Sequence, residues 1–189
     1  MPDTAFAFLS ARRSHPAKLL SAPVPDRASL TAILSAALRV PDHGKLEPWR
    51  LIVLERAALD RLAAAAAARG AERGFAAETT AKGEGQFARS PLCVAVVASP
   101  KPSEKIPAIE QTLSAGALCL GLVNAALAAG WGANWLTGWP AYDRTLVEGA
   151  LGLMPEEWVA GFVHIGTIGS TAPDRPRPDP ARIVTWAAG

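Results

Sequence analysis

Apolar and polar positions vary along the chain in a way that predicts helices and strands in turn. Early in the sequence, Asp26 can cap a helix that Pro41 ends, and apolar residues recur between them at helical spacing. Those apolar positions are Leu30, Ile33, Leu34, Ala37 and Leu38. The runs 49–54, 92–99 and 158–169 are almost continuously apolar, which is typical of buried strands.

The same pattern predicts four further helices, over residues 3–13, 57–73, 107–129 and 143–152. The first has Asp3 or Thr4 near its N-cap and Arg12 and Arg13 in its last turn. A turn and a short strand occupy 130–138. The order ααβαβαβαβ favours one α+β domain over residues 1–189, with a central sheet and helices on its faces.

In two segments the apolar residues recur at neither helical nor strand spacing. Residues 74–90 hold several glycines and polar residues, so we predict a mobile excursion that could cover a pocket as a lid. The Pro-rich tail from Ala172 onward is predicted to run extended over a surface, either its own or that of a partner subunit.

Composition narrows the function classes. The chain has 189 residues, half of them hydrophobic, which suffices for one core. The net charge is +2 and the basic residues form no stripe, so we expect no nucleic-acid partner. Charged residues make up 19%, somewhat below the usual quarter, which suggests that another subunit covers part of the surface.

A few short segments of the sequence indicate the state of the cysteines and the cellular location of the protein. Cys93 and Cys119 lie inside apolar runs, so we expect buried, inert thiols and no disulfide. The N-terminal segment lacks the charged-then-apolar order of a secretory signal. Segment 113–131 falls short of the ~20 strongly apolar residues that span a bilayer, so a buried core helix is favoured. We expect a cytoplasmic protein with no membrane partner.

Familiar catalytic motifs are missing from the sequence. It contains no G-x-S-x-G, no Walker loop, no H-E-x-x-H and no Cys pair. His164 alternates with apolar neighbours in a predicted strand, which is more typical of a structural histidine than of a ligand. We therefore expect no metal site and no catalytic side chain, and a bound cofactor becomes the better explanation of any activity.

Two clusters of polar residues could hold such a cofactor. Arg12-Arg13-Ser14-His15 offers guanidinium and hydroxyl donors that suit a phosphate, but spacing alone favours a solvated helix end that complements the helix dipole. The loop 39–49 (RVPDHGKLEPW) crowds ionisable groups between two prolines. A binding site and an ordinary connection, in which Asp42 caps a turn, are equally supported there.

The order of these clusters adds a resemblance. RRS near the N-terminus, then a helix, then PDHxxxxPW leading into a strand strongly resembles the FMN-dependent nitroreductase family, and within it the compact branch of YdjA-like NAD(P)H nitroreductases. SAGALCLGLVNAALAAGWGANWLTG resembles the long core helix and Trp-containing strand of that branch, and VAGFVHIGT resembles its last strand. The resemblance extends from Arg12 to Pro180.

The resemblance implies a nitroreductase-like α+β fold: a central mixed sheet flanked by helices, in a homodimer with an extended C-terminal tail and FMN at the subunit interface. It also assigns cofactor-binding residues in four groups. By this assignment the FMN phosphate and ribityl chain are held by Arg12, Arg13 and Ser14, and the flavin is reached from the other subunit by Arg39 and His43. The strand beside the flavin contributes Trp135, Leu136 and Thr137. NAD(P) is contacted by Ala125, Ala126, Leu127, Ala128, Ala129 and Gly130.

The implied reaction moves electrons through the flavin. NAD(P)H would deliver hydride to flavin N5, leave, and be replaced by an electron-poor acceptor such as a nitroaromatic or quinone, which is a ping-pong scheme. Two departures from the branch affect this expectation: Leu136 stands where a basic residue is usual, and Glu47 replaces a common Gln. Alternatives are a flavin carrier or sensor without turnover, and a relative that uses reduced FMN for another reaction.

Overall fold

The computed structural model describes residues 4–170 and 175–187. Its helices are α1 Ala5–Ala11, α2 Arg27–Ala37, α3 Arg56–Glu72, α4 Ala77–Ala88, α5 Ala108–Ala128, α6 Arg144–Leu151 and α7 Pro180–Ile183. Its strands are β1 Leu20–Ser21, β2 Trp49–Leu54, β3 Cys93–Ala98, β4 Gly132–Leu136 and β5 Trp158–Ile168. Short 3-10 turns occupy Ala17–Leu19, His43–Lys45 and Trp139–Ala141. The predicted α+β class is confirmed.

The long strand β5 organises the sheet. It pairs with β3 and with β4, and near its C-terminal end it pairs with β1, while β2 pairs with β3 along its whole length. Every pairing among the described strands is antiparallel, which differs from the mixed sheet that we expected. Helices α3 and α4 join β2 to β3. Because β2 and β3 are antiparallel, β3 begins at the end of the sheet where β2 stops, and two antiparallel helices bring the chain back to that end.

The second of these helices, α4, corrects one prediction. Residues 74–90 are not an irregular lid, because most of them form α4, which packs against α3. Glycines on both helices allow close contact: a Cβ at Gly83 of α4 would lie 2.3 Å from Trp139 Nε1, and one at Gly70 of α3 would lie 2.7 Å from Thr80 of α4. Phe87 is fully buried and meets Phe162 edge-on, with ring centroids 5.0 Å apart.

Both faces of the sheet are covered by helices. Alternate residues of β3 point to opposite faces, with Val94 and Val96 toward α2 and α5, and Ala95 and Val97 toward α3 and α6. Each face has its own apolar cluster, so the molecule has three layers.

Helix α5 is a core helix, as the sequence predicted. By length and composition alone it could cross a membrane, but one side of it packs on the sheet through Leu118, Leu122 and Ala126, which are fully buried. The opposite side leaves Ile109 60% exposed and Leu113 63% exposed. Such an uncovered apolar stripe on a core helix indicates a contact with another surface.

The two ends of the chain differ in detail from expectation. Helix α1 is capped by Thr4, whose Oγ1 accepts from Ala7 N at 3.1 Å, and it ends at Ala11, so Arg12 and Arg13 follow the helix rather than lying in its last turn. The alternative cap Asp3 lies outside the described residues. The tail has neither helix nor strand over 175–179 and 184–187, with extended backbone at Asp179 and Val184, and it contains the single turn α7. Its residues 172–174 and 188–189 lie outside the described residues.

Candidate functional site

The segment Arg12-Arg13-Ser14 leaves α1 in an extended direction. Arg12 has φ −57° and ψ 141°, and its Nη2 donates to Ser14 Oγ at 3.0 Å. The Nε of Arg12 is buried and has no hydrogen-bond partner among the described residues. A buried, unpaired guanidinium nitrogen costs free energy unless a ligand or an ordered water molecule completes its bonding. This observation favours the binding interpretation over the solvated helix end.

A cavity of about 590 Å³ lies between this segment and the C-terminal tail, and we call it the arginine cavity. Its described lining is Arg12, Arg13, Ser14, Arg175, Pro176, Arg177 and Pro178. Arg13 Nη1 donates to Arg175 O at 3.4 Å, and Arg177 donates to Ser10 O. Burial lowers the pKa of Arg12, and the positive charges of Arg13 and Arg177 lower it further. Several cations therefore converge where an anion would be stabilised.

His15 joins this segment to the sheet. Its backbone N–H donates to Ala133 O of β4 at 2.9 Å. Its ring Nδ1 is buried without a partner among the described residues, and burial together with Arg12 and Arg13 lowers the pKa of the imidazole. The segment thus bonds to β4 at His15 and carries two buried nitrogens that have no partner among the described residues.

The residues that follow His15 in the sequence line a second cavity of about 280 Å³, which we call the β4 cavity. Its lining comprises Pro16, Ala17, Lys18, Lys82, Gly85, Gln86, Arg89, Asn134 and Leu136. Gln86 Nε2 is buried and unpaired among the described residues, and a Cβ at Gly85 would lie 2.6 Å from the Arg89 guanidinium. Gly85 therefore leaves room for that cation beside the cavity.

Sequence reasoning missed the α4 side of the β4 cavity because it read this segment as a lid. A signal was present: Lys82, Gln86 and Arg89 recur at intervals of four and three residues, which places them on one face of a helix. The tail residue Arg177 was also missed, and no local pattern in the sequence pointed to it.

The predicted flavin strand corresponds to β4. The indole Nε1 of Trp135 donates to Ala160 O at 3.2 Å, so its ring is held across β5. Leu136, the next residue, lines the β4 cavity, and Thr137 is half-buried just after the strand. The structure therefore brings Leu136 close to the segment that follows Ser14.

The loop 39–49 is held rigidly. The Asp42 carboxylate accepts from Leu46 N at 3.2 Å and from Glu47 N at 2.8 Å, so Asp42 caps a turn, as one interpretation predicted. Ser114 of α5 donates to Pro41 O at 2.7 Å and accepts from Trp49 Nε1 at 3.0 Å. Because these bonds fix both ends of the loop, its exposed side chains have defined positions.

The same loop presents Arg39 and His43 outward. Both are exposed, and neither lines the arginine cavity or the β4 cavity of its own chain. Gly44 makes the turn possible, because it has φ +72° and a Cβ there would lie 2.4 Å from Ile106 Cδ1. Within one chain, the structure does not bring Arg39 and His43 together with Arg12 and Ser14 in either cavity.

Residues 125–130 form the C-terminal end of α5. The backbone N–H groups of Ala129, Gly130 and Trp131 are used in bonds that cap the helix, and Gly130 has φ +88°. No side chain in this segment carries a hydrogen-bonding group, and the segment lines neither cavity. Its surface can offer van der Waals contact through the exposed residues 128–130.

Other expectations about single residues are confirmed. His164 is fully buried, and burial lowers its pKa to about 4. Its Nδ1 lies 2.7 Å from Ser90 Oγ, while its Nε2 has no hydrogen-bond partner among the described residues, so the ring is satisfied on one side only. Cys93 and Cys119 are buried free thiols, and burial raises the pKa of Cys119 to about 12. These groups are structural, because a neutral imidazole and protonated thiols avoid the cost of buried charge.

Comparison with known proteins identifies the family. The sequence profile described as "Nitroreductase family" matches residues 9–167, which include Arg12-Arg13-Ser14, the loop 39–49, α4 and β4. The chain belongs to the nitroreductase family. A Haemophilus influenzae protein named "Putative NAD(P)H nitroreductase" is 38% identical over 86% of this chain and 88% of its own length. The Escherichia coli K12 protein named "Putative NAD(P)H nitroreductase YdjA" is 32% identical over 96% of this chain and 98% of its own.

Solved structures share the fold of this nitroreductase family member. A nitroreductase-like family protein from Bacillus cereus has a TM-score of 0.81 at 21% identity, covering 100% of this chain and 99% of that chain. A mutant of the FMN and NADPH-dependent nitroreductase NfnB from Sphigopyxis sp. strain HMH has a TM-score of 0.74 at 19% identity, covering 97% and 98%. The expected nitroreductase-like fold is confirmed.

Proposed function

We propose that this nitroreductase family member is an FMN-dependent oxidoreductase. It takes electrons from NAD(P)H and passes them, in a ping-pong scheme, to electron-poor acceptors such as nitroaromatics or quinones. The observation that carries the proposal is the arginine cavity, where Arg12, Arg13 and Ser14 converge and a buried Arg12 nitrogen lacks a partner. The proposal is supported by the two relatives named as NAD(P)H nitroreductases.

The arginine cavity suits the phosphate of FMN. Guanidinium groups offer planar pairs of N–H donors that match phosphate oxygens, and the Ser14 hydroxyl adds another donor. The Ser14 oxygen already accepts from Arg12, so its own hydrogen is available to an acceptor. In this role the residues bind and orient the cofactor and take no part in proton transfer.

The β4 cavity suits the ring end of the same cofactor. Bound FMN would supply the redox chemistry, accepting hydride at N5 and passing electrons on. Lys18, Lys82 and Arg89 line the cavity together with Leu136, where a basic residue is usual in the branch, and Lys82 also pairs with Glu78 at 2.8 Å. These cations would offset the charge that Leu136 lacks, and Trp135 and Thr137 would complete the strand beside the flavin.

A second copy of the chain would complete the site. The exposed apolar residues Ile109, Leu113 and Leu120 lie on α5, and Phe6 and Leu9 lie on α1, where solvent exposure is unfavourable. Arg39 and His43 line neither cavity of their own chain. A homodimer that covers the apolar residues would deliver Arg39 and His43 to the partner's FMN at the interface.

The reductant would meet the outer side of this site. Residues Ala125 to Gly130 would contribute packing contact to NAD(P)H and no side-chain hydrogen bonds, as their composition dictates. We also place the enzyme in the cytoplasm, which agrees with its two buried free thiols.

A visible spectrum of the purified protein, with and without added FMN, tests the proposal. We expect a yellow protein that bleaches on addition of NADPH or NADH and recovers colour with a quinone or nitroaromatic. Arg12→Ala with Arg13→Ala should weaken FMN affinity at least tenfold, since hydrogen bonds to charged groups contribute about 1.5–3 kcal/mol each. Arg61→Ala, an exposed arginine of α3, is the matched control.

The outcomes separate the alternatives. A protein that stays colourless and does not bind FMN contradicts the proposal. Yellow protein that neither NADH nor NADPH bleaches would instead identify a flavin carrier, and unchanged FMN affinity in the doubly substituted protein would exclude the phosphate role of these arginines.

A further inference from the structure

Glu110 in the first turn of α5 contacts His43 of the loop 39–49. Its Oε2 lies 2.7 Å from His43 Nδ1, although the two residues are 67 positions apart in the sequence. The distance is that of a strong hydrogen bond between an imidazole N–H and a carboxylate.

Both partners are held by separate parts of the fold. The loop that carries His43 is tied by the Asp42 carboxylate and by the Ser114 hydroxyl. Next to Glu110, the Gln111 amide bonds both backbone groups of Lys101 at 2.7 and 2.9 Å. Because each backbone is fixed independently, the contact does not require the ordering of two mobile segments.

The contact adds little to the stability of a single chain. The side chain of His43 is 62% exposed and that of Glu110 is 43% exposed, and exposed pairs of this kind contribute little. What the contact does is orient the imidazole. A carboxylate accepts only from an N–H, so it selects the Nδ1–H form of a neutral ring and turns Nε2 away from Glu110.

The Nε2 atom of His43 has no hydrogen bond among the described residues. An oriented ring nitrogen on an exposed loop can bond to a group outside its own chain. A carboxylate that fixes the tautomer of a ligand-binding histidine is a common arrangement at metal sites, where removing it weakens binding. The same logic applies to a histidine that contacts a hydroxyl or phosphate oxygen.

We infer that Glu110 is a positioning residue that holds the His43 imidazole so that Nε2 meets FMN bound by the partner subunit. The inference rests on the proposed function for the identity of the ligand. The ligand atoms would be ribityl hydroxyls or phosphate oxygens, which can pair with an imidazole nitrogen.

The tautomer of His43 tests the positioning step without any flavin. With only three histidines in the chain, ¹⁵N imidazole spectra can be assigned by comparison with His43→Gln. At a pH where the ring is neutral, we expect the Nδ1–H form in the unsubstituted protein and a shift toward Nε2–H in Glu110→Ala. Glu104→Ala, an exposed carboxylate before α5, is the control and should leave the spectrum unchanged. An unchanged tautomer in Glu110→Ala would overturn the inference.

A double-mutant cycle on FMN affinity tests the consequence. Glu110→Ala should raise the FMN Kd about tenfold in the unsubstituted background and less than about twofold in His43→Ala, because the two residues act through one contact. Equal increases in both backgrounds would show that Glu110 acts independently of His43, against the inference. If the unsubstituted protein binds no FMN, the proposed function fails, while the tautomer measurement still decides whether Glu110 positions His43.

Discussion

The indole of Trp135 occupies the space that a side chain at Gly161 would fill. A Cβ built on Gly161 would lie 2.0 Å from Trp135 Nε1, which is closer than atoms can approach. The glycine therefore allows Trp135 to cross β5 and bond Ala160 O, and this contact sets the position of the β4 residues next to the proposed flavin.

Gly161→Ala should therefore displace Trp135 and destabilise the protein by about 1–3 kcal/mol, as other overpacked substitutions do. Urea unfolding at neutral pH measures the change. The control is Gly149→Ala in α6, where a Cβ meets nothing within 4 Å, so this helical substitution should be neutral or stabilising. Equal effects at both positions would contradict the packing argument.

Stability should depend on Glu157 in acid. The bond from Arg50 lowers the pKa of the Glu157 carboxyl from 4.5 to about 2, and this side chain is only 5% exposed. The contribution is present above pH 4.5 and is lost as the pH falls toward 2, and it is on the order of 3 kcal/mol.

Urea unfolding between pH 7 and pH 2 checks this expectation. Glu157→Gln should be less stable than the unsubstituted protein at pH 7, and its stability should change less between pH 4.5 and pH 2. Identical pH profiles for the two proteins would show that the ion pair does not contribute. Glu156→Gln, the exposed neighbour, is the control.

The tail should take part in binding the cofactor. Arg177 lines the arginine cavity and donates to Ser10 O, so we expect Arg177→Ala to raise the FMN Kd about tenfold. Arg182→Ala changes a tail arginine outside the described lining and should have little effect. Isothermal titration of the apoprotein with FMN measures both. No difference between the two variants would remove Arg177 from the site.

Lys82 should compensate for the missing cation at Leu136. Lys82→Met is expected to weaken FMN affinity about tenfold, and Leu136→Arg in the same protein should recover most of the loss, because both positions line the β4 cavity. Lys105→Met, on the exposed loop before α5, is the control. Failure of Leu136→Arg to recover any affinity would indicate that charge at this position is not what Lys82 replaces.

The apolar stripe of α5 should be the dimer contact. Leu113→Glu places a charge at a residue that is 63% exposed in the single chain, so it should not disturb the fold but should dissociate the proposed homodimer. Light scattering after gel filtration measures the mass of the variant. A variant that no longer dimerises should also lose FMN. Met154→Glu, also exposed, is the control. A dimer that survives Leu113→Glu would place the interface elsewhere.

Several elements could be predicted from local patterns. β2 occupies residues 49–54 as predicted, and α2 begins after Asp26, whose side chain accepts from Ser29 N. A continuous apolar run and a capping aspartate are signals whose physical cause is local. α4 was missed because its glycines normally end helices, whereas here Gly83 and Gly85 let Trp139 and Arg89 approach closely.

By itself, the sequence determined the order of the longer helices and strands other than α4, and the buried character of β3 and α5, because these depend on neighbouring residues and on periodicity. The tertiary structure alone decided that Arg177 reaches Ser10, that Glu110 meets His43, and that Lys82 and Leu136 line one cavity. Residues far apart in sequence come together only when whole elements pack, and packing depends on shape and contact across the molecule rather than on any local pattern.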